Sequence, residues 1–203
     1  MKFRSLVICL SLLTAFSAAS PKTNASQSAT EEASDKNVSI RRIDFRNFTY
    51  PLPKDLVVPG NPKNTLKLKN GELPIIRDSD GLIIGGASLT KINYGDVTGD
   101  QIEDAVIYIS LVSGGSGMPG IVYVYSTEGK KPKLLWRFAT GDRANEGYKK
   151  AYASKANLVV ELFSPIDSRG ACCPTKFTRT IYEWQGAQFK QKRKLLLHLK
   201  ESD

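Results

Sequence analysis

The sequence predicts one all-β domain: an antiparallel sandwich, barrel or propeller-like sheet of about eight to ten strands. Three observations carry this. From Ile40 onward apolar residues recur closer to every second position than every 3.6. Ala105–Val112 (AVIYISLV) is a near-continuous apolar run of the kind a central buried strand needs. Gly, Pro, Asn or Asp punctuates nearly every gap between apolar segments.

Taken in order, Ile43 and Phe45 alternate with Asp44 and Arg46, which reads as a strand. Leu66 and Leu68 alternate with Lys67 and Lys69, and Asn70-Gly71 supplies a hairpin turn. Ile121–Tyr125, Leu134–Phe138, Leu158–Phe163 and Phe177–Trp184 follow Ala105–Val112 at hairpin-like spacing, and Gln185-Gly186 turns the last hairpin. One segment stands apart: in Lys190–Leu199 the residues Leu195, Leu196 and Leu199 could share a helical face. No repeat recurs every 40–50 residues or so, which argues against a full propeller.

The beginning of the chain reads as an export signal. Lys2 and Arg4 precede an apolar run from Leu6 to Phe16, and Ser17-Ala18-Ala19 supplies a small-residue cleavage site. The run is too short to span a bilayer, and no later stretch is long enough, so no transmembrane segment is expected after cleavage. Residues 1–19 form this signal peptide. Residues 20–39 have Val38 as their sole large apolar side chain and form a Ser/Thr-rich disordered spacer. Residues 40–203 form the domain. The expected location is periplasmic or secreted.

Lys and Arg number 29 against 20 Asp and Glu, with one His, for a net charge of +9. Loss of Lys2 and Arg4 takes this to +7. Export argues against nucleic acid as the partner of this charge. The basic C-terminus (Lys190, Lys192, Arg193, Lys194, Lys200) points instead to an anionic envelope component, or to a solvated face. One His excludes zinc sites built on two or three imidazoles.

Asp96, Thr98, Asp100 and Asp104 place oxygen-bearing side chains on alternate positions of a tight loop just before the Ala105 strand. That spacing wraps a hard cation, with the Ile102 carbonyl as a further ligand and calcium as the cation. The alternative is a metal-free acidic turn whose carboxylates accept backbone N–H groups. The segment resembles the FG-GAP or integrin-type calcium loop, D-x-[DN]-x-D-G-x-x-D before a strand. Asp96, Asp100 and Asp104 fall on its acidic positions and Ile102 on its carbonyl position. Thr98 replaces a carboxylate or amide, and Gln101 replaces the turn glycine, where positive φ costs a non-glycine residue stability.

Cys172 and Cys173 are adjacent and are the only cysteines beyond Cys9. A bond between neighbours is strained and more easily reduced, so the pair is a stiffened turn, two packed thiols or a redox-responsive site. Cys172-Cys173-Pro174-Thr175 with Tyr182-x-Trp184-x-Gly186 resembles a pattern of exported bacterial proteins that includes the LppP/LprE lipoprotein family. The resemblance implies no known activity, and the lipid anchor does not carry over because a usable lipobox is absent. Asp142, Arg143, Asn145 and Glu146 form a polar loop that is either a surface turn or a ligand loop.

The functional expectation is a non-catalytic structural or binding domain, stabilised by calcium if the Asp96 loop is loaded. The alternatives are a hydrolase of an envelope polymer using acids such as Asp142, Glu146 or Asp167, or a redox-responsive protein using Cys172-Cys173.

Overall fold

The computed structural model describes residues 38–53, 56, 64–112, 119–143, 145–166 and 173–199. The signal peptide, most of the spacer, Cys172, Asp167 and Lys200 lie outside the described residues. Val38 and Ser39, at the end of the expected spacer, are described: Val38 N–H donates to Gly129 O, and the Ser39 side chain caps the first turn.

The fold is all-β. Among the described residues eleven strands form three antiparallel sheets. A ribbon pairs β1 (Thr49–Pro51) with β2 (Thr65–Lys67). The five-stranded sheet runs in sequence order through β3 (Glu72–Arg77), β4 (Ile83–Gly95), β5 (Asp104–Leu111), β6 (Gly120–Glu128) and β7 (Lys131–Thr140). The four-stranded sheet contains β8 (Tyr148–Ser154), β9 (Asn157–Phe163), β10 (Lys176–Trp184) and β11 (Phe189–His198), in the order β11-β10-β9-β8. Every neighbour in the two larger sheets is also a sequence neighbour, so each is an up-and-down meander.

The apolar run in β5 has a direct cause: both faces of the five-stranded sheet are covered. Ala105, Ile107 and Ile109 of β5, with Ile121, Tyr123 and Tyr125 of β6, pack against Ile40, Phe45, Tyr50, Leu52, Leu66 and Leu68. Val106, Tyr108, Val122 and Val124 turn the other way, toward Ala151, Leu158 and Val160 of the four-stranded sheet. Alternation needs one wet face, so β5 and β6 lose it. Gly95 of β4 permits a close approach between the sheets, since a Cβ there would sit 2.7 Å from Ala153 Cβ.

Two segments depart from the sequence reading. Ile43 and Phe45 do not lie in a strand; the segment forms two 3₁₀ turns, Ile40–Arg42 and Phe45–Asn47. The Asp44 carboxylate accepts from the amides of Arg46 and Asn47, which curls the chain and buries Phe45, with Ile43 packed beside it half-buried. Lys190–Leu199 is not helical either. It lies in β11 along the whole of β10, from Trp184↔Phe189 to Lys176↔His198, with Leu195 and Leu197 on one face and Leu196 46% exposed on the other. The Asn70-Gly71 turn forms as read, both residues having positive φ (54° and 88°).

Candidate functional site

The Asp96–Asp104 loop joins β4 to β5 and is organised by its own carboxylates. Asp96 Oδ1 accepts from the amides of Thr98 (3.0 Å) and Gly99 (2.6 Å), and Asp96 Oδ2 from that of Gln101 (3.0 Å). Asp100 Oδ1 accepts from Ile102 N–H at 2.9 Å. Asp104 is fully buried; its Oδ2 accepts from Val97 N–H at 2.9 Å, and the Thr98 hydroxyl lies 3.4 Å from both Asp96 and Asp104. Gln101 has φ +68°, so the position the calcium-loop pattern gives to glycine carries that left-handed conformation here. Glu103 points away from the loop and clasps Arg41 with two bonds, at 2.6 and 2.8 Å, which lower its carboxyl below the ordinary value.

Two facts bear on a cation here. Asp104 Oδ1 is buried and receives no hydrogen bond. Burial raises the Asp104 carboxyl, the Val97 amide and the Ser126 hydroxyl pull it down, and the charges of Asp100 and Asp96 add to the rise. Against a ready cage, Asp96 spends both oxygens on loop amides. Among the described residues no group of three or more His, Cys, Asp or Glu is gathered to hold a metal.

The other expected sites stay apart from this loop. Cys173 is exposed and followed by buried Pro174. Asp142, Arg143, Asn145 and Glu146 form a turn pinned by Asn145 N–H to Asp142 O and by the Gly141↔Gly147 bridge. Arg143 lies over the Phe163 ring at 5.1 Å, while Asn145 and Glu146 are exposed.

What the sequence reading missed is the face of the four-stranded sheet turned away from the core. The register lays its side chains in rows. Lys150, Glu161, Arg179 and Leu195 form one row, and Tyr152, Val159, Ile181 and Arg193 the next. Glu161, 2% exposed, takes Lys149 Nζ at 2.6 Å and the Arg179 guanidinium at 2.7 Å, with Tyr152 Oη at 3.4 Å. Burial alone would raise its carboxyl. The hydrogen bonds from Lys149 and Arg179, with their charges, outweigh that and hold it below the ordinary value. Lys149 also lies over the Phe177 ring at 4.1 Å, and Lys150 over Tyr152 at 4.6 Å.

Beside this cluster a cleft of about 320 Å³ opens at the β8–β9 turn. Val159 and Ile181 are its apolar wall residues, and Ser154, Lys155, Asn157, Lys192 and Arg193 complete the lining. Lys192 is tied to Glu183 at 2.9 Å. Glu161 did leave a trace in the sequence, as the lone acid inside the apolar run Leu158–Phe163. The cleft left none, because it depends on which residues of β8, β9, β10 and β11 lie side by side.

No family model, curated protein or solved structure matches the chain. The functional reading therefore rests on the residues themselves.

Proposed function

We propose that this chain is an exported, non-catalytic binding module that holds an anionic component of the cell envelope against the outer face of its four-stranded sheet. The observation that carries this is the charge of that face. Among the described residues Lys149, Lys150, Lys155, Arg179, Lys192 and Arg193 gather there against the carboxylates Glu161 and Glu183. Glu161 is consumed by its two cations, and the adjoining cleft is lined by no acid. Such a surface attracts a polyanion and offers no free acid–base pair.

The test is retention of the full chain on immobilised dextran sulfate. The double variant Lys150→Glu/Arg193→Glu should elute at clearly lower salt than Lys67→Glu/Lys131→Glu, which changes net charge equally on other strands. Equal elution of the two variants would overturn the reading.

A second proposal concerns stability. The buried, unbonded Asp104 Oδ1 favours calcium in the Asp96–Asp104 loop, with Asp96, Thr98, Asp100, Asp104 and the Ile102 carbonyl as ligands. The ion would neutralise the clustered carboxylates and hold β4 to β5. Calcium at a hundred times its Kd should raise Tm by roughly 5–10 °C over EDTA, and Asp100→Ala should abolish the shift. Identical melting in both buffers would leave the loop a hydrogen-bonded acidic turn.

A further inference from the structure

The basic face holds a concave feature whose walls describe a ligand. Val159, 4% exposed, and Ile181 supply apolar surface. Lys155, Lys192 and Arg193 supply charge. Lys192 is already paired with Glu183, whereas Lys155 and Arg193 meet no carboxylate among the described residues. Asn157 adds a polar group with a defined direction. Its Nδ2 donates to Lys155 O at 2.5 Å, which fixes which end of the amide is which, and leaves Oδ1 buried without a hydrogen bond.

From these groups we infer that the cleft between the β8–β9 turn and the β10–β11 pair binds a small organic anion: one carboxylate or phosphate on a compact apolar body. The inference rests on the binding-module reading above and adds the class of ligand. Size supports a small molecule or a single end group. The volume is at the lower end of ligand clefts, and at about 30 Å³ per water-sized group it holds about ten. The chemistry follows from the walls. The anionic group meets Lys155 and Arg193, and the apolar body covers Val159 and Ile181. A purely apolar ligand would leave the cations unanswered, and inorganic phosphate would leave the apolar wall wet.

The experiment is a titration of the full ¹⁵N-labelled chain with 6-hydroxy-2-naphthoate, 2-naphthoate, 2-naphthol, acetate and inorganic phosphate, followed by backbone amide shifts. The two naphthoates should give saturable shifts centred on Ser154–Val159 and Lys192–Arg193. They should bind at least about fivefold more tightly than naphthol, acetate or phosphate, the scale of one or two partly exposed charge contacts. Lys155→Gln/Arg193→Gln should bring naphthoate down to naphthol strength. Absence of saturable shifts at these residues, or equal binding of naphthol and naphthoate by the wild-type chain, would overturn the inference without recourse to any variant. The dextran sulfate assay separates the two readings. Retention that depends on Lys150 and Arg193, with a silent cleft, sinks the small-anion inference alone. A responsive cleft with equal elution of the two charge-reversed variants sinks the wider reading alone.

Discussion

Asp104 and Glu161 are both buried carboxylates at strand positions, yet the fold treats them oppositely. Asp104 sits where β5 begins and is served by a backbone amide and hydroxyls, with two further acids close by. Glu161 sits mid-strand in β9 and is served by two cations. Burial penalises the charge of each. Neutral donors do not repay that penalty at Asp104, whose carboxyl is raised; Lys149 and Arg179 more than repay it at Glu161, whose carboxyl is lowered. The difference is one of partner charge rather than depth, and it assigns the two acids different work. Asp104 shapes a loop, while Glu161 fixes two long side chains on the outer face.

The largest expected effect tests Glu161. Glu161→Ala leaves Lys149 and Arg179 without their counter-ion and should cost roughly 3 kcal/mol, the low end for breaking a buried pair because both cations are partly exposed. Tm should fall by roughly 6–12 °C. Asp104→Ala comes next, at roughly 2 kcal/mol, since it strands the buried Val97 amide. Asp104→Asn keeps an acceptor for that amide and should stay within roughly 1 kcal/mol of the wild type. Chemical denaturation of the three variants checks the order, and a larger loss for Asp104→Ala than for Glu161→Ala would reverse the comparison.

Acidification separates the pair by sign. The lowered Glu161 carboxyl contributes stability that is present above its ordinary value of 4.5 and is lost as pH falls through the folded value below it. The raised Asp104 carboxyl contributes stability that is present below its ordinary value of 3.8 and is lost as pH rises through the folded value above it. Melting curves from pH 7 to 3 should therefore show the gap between wild type and Glu161→Gln closing toward acid. Over the same range wild type should gain on Asp104→Asn. Parallel curves for both variants would remove the electrostatic basis of the contrast. The smallest effect belongs to Gln101. Gln101→Gly relieves a left-handed backbone position and should add roughly 0.5–1 kcal/mol, read as a small rise in Tm.

Sequence and structure agree where local chemistry decides. The Ala105–Val112 run and the Asn70-Gly71 turn were legible because burial on two faces and positive φ leave marks in single segments. The positive φ at Gln101 was expected only from the resemblance to a loop pattern that has glycine there, since glutamine itself carries no such mark. The 3₁₀ turns at Ile40–Asn47 were not legible, because apolar alternation over four residues is shared by strands and by tight turns that bury one side chain. A helix stayed open for the end of the chain because Leu195, Leu196 and Leu199 fit one helical face, and only pairing with β10 decides for a strand. The outer face was hidden for a stronger reason. Lys149, Glu161 and Arg179 are 12 and 18 residues apart along the chain, and only strand register makes them neighbours.

β11 lies at the margin of its sheet, and one side of its backbone has no strand neighbour among the described residues. Lys190, Lys192, Arg193 and Lys194 stud this strand and are all exposed. An open strand margin is a template on which a second chain can stack, and a row of like charges keeps two such margins apart. These cations therefore oppose edge-to-edge pairing of two copies through β11. Neutralising them with a multivalent counter-ion would weaken that guard and leave the β11 backbone as a template for strand addition.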